Sequence, residues 1–147
     1  MIAGFSVVTD TATIAVFDLQ AIKHRISDTS DWWSIVEDEI YEVNEGNIAF
    51  FGLGEDGKFN IRISDSLNGE DGLLNIYFPS GQVFIGAGED TTGGDLQPDG
   101  SDAIQGAMLD FEPGTYQVKY KKTNDAVEFS FERSDTRKNS LTEAIKL

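Results

Sequence analysis

Between Arg25 and Lys119 the chain carries nineteen carboxylates and only two cations, Lys58 and Arg62. Clustered carboxylates can ligate a hard cation, work as an acid–base pair, or present a negative face to a basic partner. Spacing separates these chemistries. The run Asp95-Leu96-Gln97-Pro98-Asp99-Gly100-Ser101-Asp102 has the composition of an EF-hand calcium loop. With Asp95 in the first place, the third place is Gln97 and the twelfth is Gly106, where a bidentate Glu belongs. A calcium site of another kind would draw on Glu89, Asp90, Asp95, Asp99 and Asp102, all in the Gly/Asp-rich segment 88–106. A solvated loop, rich in Asp and Gly for reasons of turn geometry, accounts for the same residues.

Catalytic chemistry finds few footholds. The single histidine, His24, stands between Lys23 and Arg25 and reads as a surface residue on a short turn. The G-x-S-x-G nucleophile elbow is absent, so a serine–histidine triad has no scaffold. With no cysteine, thiol nucleophiles and cysteine-based zinc sites are excluded. Two carboxylates can hydrolyse a glycosidic bond when they flank it in a cleft, but among so many acids close pairs arise by chance. The expectation is a protein that is not an enzyme and has no cofactor, calcium excepted.

The net charge of −15 bears on partners. Phosphate binding needs clustered Lys and Arg, so direct contact with nucleic acid or an anionic membrane is disfavoured. A basic protein, such as a nuclease or toxin, is the expected counterpart. Within the acidic stretch, Trp32, Trp33, Val36 and Ile40 recur at near-helical spacing, with Ser30 or Asp31 as N-cap and Gly46 as terminator. Such a helix turns Glu37, Asp38, Glu42 and Glu45 outward as a partner-binding face. Adjacent helical residues point about 100° apart, so Trp32 or Trp33 could remain near the surface as an apolar anchor while the other packs inside.

The elements that must carry these residues are mostly strands. Thr11 to Phe17 is rich in β-branched residues, with Ile14 and Val16 on one face and Thr13, Ala15 and Phe17 on the other. Lys58 to Ser64 alternates, with Phe59, Ile61 and Ile63 inward. Leu73 to Phe78 and Gln82 to Ala87 flank the turn Pro79-Ser80-Gly81, and Ala107 to Phe111 and Thr115 to Lys121 flank Glu112-Pro113-Gly114. Short strands over 47–53 and 127–131 complete the set. The pattern predicts a mainly β fold: an antiparallel β-sandwich or barrel-like sheet of about eight or nine strands, with one helix in the N-terminal third. Residues 1–132 read as a single β-rich domain and 133–147 as a polar tail, frayed or forming a short helix.

Ten phenylalanines, four tyrosines and two tryptophans argue for a packed core despite the charge. The absence of cysteine fits a reducing compartment. Met1 to Asp10 lacks the features of a signal peptide, and no run approaches the roughly 20 apolar residues of a membrane span. A cytoplasmic location is expected.

Three motifs carry a family resemblance. Asp31-Trp32 leads into the acidic helix, Glu45-Gly46-Asn47-Ile48-Ala49-Phe50 follows it, and Asp110-Phe111-Glu112-Pro113-Gly114-Thr115-Tyr116-Gln117-Val118 comes much later. This order resembles the bacterial competence protein J family, small inhibitors of a DNA-entry nuclease. The chain is also similar to small uncharacterised bacterial acidic domains. The resemblance implies a bacterial immunity protein or inhibitor that meets a basic nuclease through its acidic helix. The alternative that the residues leave open is a calcium- or carbohydrate-binding β-sandwich module using the 88–106 loop.

Overall fold

The computed structural model describes residues 3–29, 32–91, 106–124 and 126–147. Ten strands form two five-stranded sheets. The first runs β1 (Ala3–Thr9), β4 (Gly57–Ser64), β9 (Ala126–Arg133), β8 (Gly114–Lys122) and β5 (Gly72–Phe78). The second runs β10 (Ile145–Lys146), β3 (Ile48–Gly52), β2 (Thr13–Asp18), β6 (Gln82–Ala87) and β7 (Gly106–Asp110). Neither closes on itself, so the molecule is a sandwich and not a barrel.

Alternation in the sequence becomes a division of faces. On β4, Phe59, Ile61 and Ile63 are buried, while Lys58, Asn60 and Arg62 point the other way. In the second sheet both faces are covered, so β2 is buried from Ile14 to Asp18. Ile14 pairs with Phe51 and Ala15 with Phe50. Phe51 packs against Tyr120 and Phe129 of the first sheet, with ring centroids 4.8 and 5.2 Å apart. Phe50 faces away, toward Trp32 and Trp33 at 5.9 and 5.4 Å. A third layer, made from a 3-10 turn at Trp32–Ser34 and the helix α1 (Val36–Asn44), therefore lies outside the second sheet.

The strand expected over Thr11 to Phe17 corresponds to β2; β1 precedes it in the other sheet, and β10 brings the described strands to ten. Two neighbours run parallel, β4 with β9 and β3 with β10, where an all-antiparallel arrangement was expected. Side-chain alternation fixes which face a strand buries but carries no information on its neighbour's direction.

The helix begins later than its sequence pattern predicts. Ile35 occupies the N-cap position, after the 3-10 turn. The proposed caps Ser30 and Asp31 lie outside the described residues. Gly46 ends the helix at φ 77°, and an added Cβ there would lie 2.2 Å from the carbonyl oxygen of Arg137. Handedness and close approach both demand glycine.

Residues 134–147 form neither a helix nor a loose end. Asn139 acts as a staple. Its side-chain Oδ1 accepts from the Asn75 N–H at 2.8 Å, and its Nδ2 donates to the carbonyls of Asn75 and Val43. The amide thus stands in for a neighbouring strand on the outer edge of β5, which would otherwise expose unpaired backbone groups. Leu141 exchanges hydrogen bonds with the Asn44 side chain, and β10 then joins β3.

Candidate interaction surface

The acidic helix was the centre of the sequence-based expectation, and the structure redistributes its residues. Trp32 and Trp33 are 2% and 8% exposed. Neither is an anchor at the surface. Trp32 meets Phe50 edge-on, and Trp33 stacks on the same ring. The Arg25 guanidinium lies 4.8 Å from the Trp32 ring centroid and closes it from the solvent side.

Glu42 is a second correction. It was expected on the outward face, but it is fully buried. Asn47 Nδ2 donates to its Oε1 at 2.8 Å and Arg25 Nε to its Oε2 at 2.8 Å, while His24 Nε2 sits 2.9 Å from Oε2. His24 is exposed over half of its side chain, as expected, yet its ring nitrogen reaches a buried acid. Burial alone would raise the Glu42 pKa; the hydrogen bonds from Asn47, His24 and Arg25 outweigh it and hold the carboxyl below its ordinary value. Arg137 Nη2 donates to Asn47 Oδ1 at 2.6 Å, tying the C-terminal segment into the same cluster.

The remaining helix acids stay near solvent. Glu37 is exposed. Asp38 is half-buried, with Arg25 Nη2 3.6 Å away. Glu45 pairs with Lys138 at 3.2 Å. Glu39, not singled out by sequence, lines a cavity of about 170 Å³ with Thr13, Phe50, Gly52, Ile145 and Lys146. Burial pushes its carboxyl up. A folded-state value above the unfolded one penalises the native state as pH rises through the unfolded value, about 4.3. Glu39→Gln removes that penalty. The variant is expected to melt higher than the parent at pH 7, and the difference should vanish in acid, where Glu39 is protonated. Melting curves across this range check it.

Of the candidate calcium ligands, Glu89 and Asp90 lie among the described residues. Glu89 is committed to the loop after β1: its Oε1 accepts from the hydroxyls of Thr9 and Thr11 at 2.7 Å, and its Oε2 accepts from the Asp10 N–H. Burial would raise its pKa, but these bonds prevail and lower it. Asp90 is half-buried at the end of a 3-10 turn. Asp95, Asp99 and Asp102 lie outside the described residues. Among the described residues no group of three or more His, Asp or Glu side chains is placed to hold a metal. No helix of the described residues is long and apolar enough to cross a membrane.

Over residues 1–147 the sequence matches the family described as "Family of unknown function (DUF6386)". The chain belongs to this family. No curated protein sequence matches it. Two solved structures share its fold. One, described as Crocagin biosynthetic gene J, superposes with a TM-score of 0.52 at 17% identity, over 89% of this chain and 97% of that one. The other is ComJ from Bacillus subtilis, described as the inhibitor of the DNA degrading activity of NucA. It gives a TM-score of 0.52 at 13% identity, over 90% of this chain and 96% of that one. The resemblance read from the three motifs thus extends to the whole sandwich. At this identity the likeness establishes fold.

Proposed function

We propose that the protein is a non-enzymatic inhibitor that captures a basic nuclease or toxin through its acidic surface. The observation that carries this reading is a net charge of −15 mounted on a sandwich that ComJ, described as a nuclease inhibitor, also adopts. A nuclease binds phosphate with Lys and Arg, so its working surface is basic. Carboxylates presented to those groups compete with the substrate and steer association over distance. The exposed or half-exposed acids Glu37 and Asp38 of α1 and Glu45 at its C-cap form the proposed contact face, while Glu42 supports it from beneath. The cysteine-free composition supports action in a reducing, cytoplasmic setting.

The test is to immobilise the chain, recover the basic protein it retains from its own cell, and titrate the chain into a DNA-degradation assay of that protein. Activity is expected to fall to background near one equivalent, with inhibition weakening as salt rises. Unchanged degradation at excess chain, or inhibition indifferent to salt, overturns the reading.

A further inference from the structure

The outward line of α1 and its C-cap runs Glu37, Tyr41, Glu45, one residue per turn. Tyr41 is 58% exposed, and Ile35 and Val36 at the helix start are 53% and 54% exposed. These are three of the largest exposed apolar side chains in the described protein, gathered on one short element. Two and three residues before Ile35, Trp33 and Trp32 are packed away. The segment therefore has access to a core and still turns this group outward, and Val43 is the one apolar residue of α1 that is fully buried.

The surrounding charge says what would cover such a surface. The aromatic face of Tyr41 is electron-rich, and a cation over it is attracted by the ring itself. Glu37 and Glu45 lie one turn to either side and reinforce that attraction. Of the cations near the helix, Arg25 turns inward to Glu42, Asp28 and the Trp32 face, while Lys138 pairs with Glu45 at 3.2 Å from the helix C-terminal end, so a partner cation shares Glu45 with Lys138 and meets Glu37 directly. A second copy of this chain, itself at −15, is repelled.

The geometry points to Tyr41 as the central anchor of the docking face. A partner arginine or lysine lies over the phenol ring between Glu37 and Glu45, and Ile35 and Val36 extend the apolar area toward the helix start. Tyrosine at the centre of a charged rim is a common hot-spot arrangement. This assignment rests on the inhibitor reading and takes over the anchor role that the buried tryptophans cannot fill.

The experiment uses four full-length baits: the parent, Tyr41→Ser, the pair Glu37→Gln with Glu45→Gln, and Leu73→Ser. Leu73 is 47% exposed on β5, in the other sheet, and serves as a control for loss of any exposed apolar group. The basic protein retained by the parent is identified and purified, and its affinity for each variant is measured by calorimetry at low and high salt. Parent and Leu73→Ser are expected to bind alike. Tyr41→Ser should bind at least about tenfold more weakly with an unchanged melting temperature. The Gln pair should bind more weakly at low salt and show a shallower salt dependence. Parental affinity in Tyr41→Ser overturns the anchor and leaves the inhibitor reading standing. Loss in Leu73→Ser instead moves the interface to the opposite sheet. Failure of the parent to retain any basic protein removes the reading on which the anchor depends.

Discussion

Replacing Asp18 by alanine is expected to lower the melting temperature by about 10 °C, corresponding to a loss of about 4 kcal/mol as several hydrogen bonds to a charged acceptor go. Asp18 ends β2 and is 1% exposed. Its Oδ2 accepts from the backbone N–H groups of Ser80 and Gly81 at 2.8 and 2.9 Å, and its Oδ1 from the Gln20 N–H at 3.0 Å. The Ser80 hydroxyl lies within 2.9 Å of both oxygens. Pro79-Ser80-Gly81 is where the chain leaves β5 in the first sheet and enters β6 in the second, so this carboxylate pins a corner of the sandwich. Gly81 also accepts the Phe111 N–H at 2.7 Å, which places the end of β7. Alanine removes the acceptor of three backbone donors and a hydroxyl. The Gly81 N–H is buried, while Ser80 and Gln20 are exposed and water can reach their donors. A donor left unmet costs about 1–3 kcal/mol. Relaxation and water entry bring the sum down to the figure above. Asparagine retains one acceptor oxygen but sets an NH₂ group against the remaining donors, so it should lose roughly half as much. Guanidinium unfolding of both variants measures this. An Asp18→Ala protein that melts within about 2 °C of the parent would refute the assignment of the corner to this residue.

Asp18 shows where sequence reading reached and where it stopped. The two strands and the turn between β5 and β6 are all legible, because alternation and Pro-Ser-Gly are local signals. That an aspartate some sixty positions earlier holds the turn is not local, and nothing in the spacing announces it. The same limit applies to β9, whose alternation is plain but whose parallel place beside β4 depends on a long connection. On the helix, the pattern Trp32, Trp33, Val36, Ile40 assumed one continuous phase. The 3-10 turn breaks that phase before Val36, which rotates Val36 outward and Glu42 inward. The available cue was Lys23-His24-Arg25. A run of potential cations at the edge of a cation-poor region is a reason to look for a carboxylate they meet, and two of the three, His24 and Arg25, do reach Glu42.

The charge reading changes accordingly. Asp18, Glu42 and Glu89 belong to the architecture, each with its oxygens turned to donors of the chain itself. The sequence-level count of acids therefore overstates the outward field, but it does not remove it. Glu37, Glu55, Asp56, Asp65, Glu70, Asp110 and Glu112 remain exposed. The surface field is a remainder after structural carboxylates have been assigned, and hydropathy alone treats both kinds as solvent-facing.

Glu42 is where support and surface meet, and it gives the second large effect. Glu42→Gln is expected to cost about 3 kcal/mol at pH 7. The amide keeps the shape of the side chain but presents Arg25 and His24 with a neutral oxygen, or with an NH₂ group that repels their donors. Arg25 is 17% exposed and His24 53%, so water can partly compensate, which sets the estimate at the low end for a broken buried pair. The pH dependence follows from the lowered carboxyl pKa. Bonds from Asn47, His24 and Arg25 favour the ionised form in the folded protein, so the stabilisation is complete above the unfolded value of about 4.3 and is lost as pH falls through the lower folded value. The gap between parent and Glu42→Gln should thus be widest near neutrality and close in acid. Because the same cluster orients α1 through Asn47 and Arg137, the variant should also weaken binding to the proposed basic partner without removing an exposed charge. Denaturation of both proteins at several pH values separates these ideas: a stability gap that persists unchanged in acid would mean that Glu42 acts through packing and not through its charge.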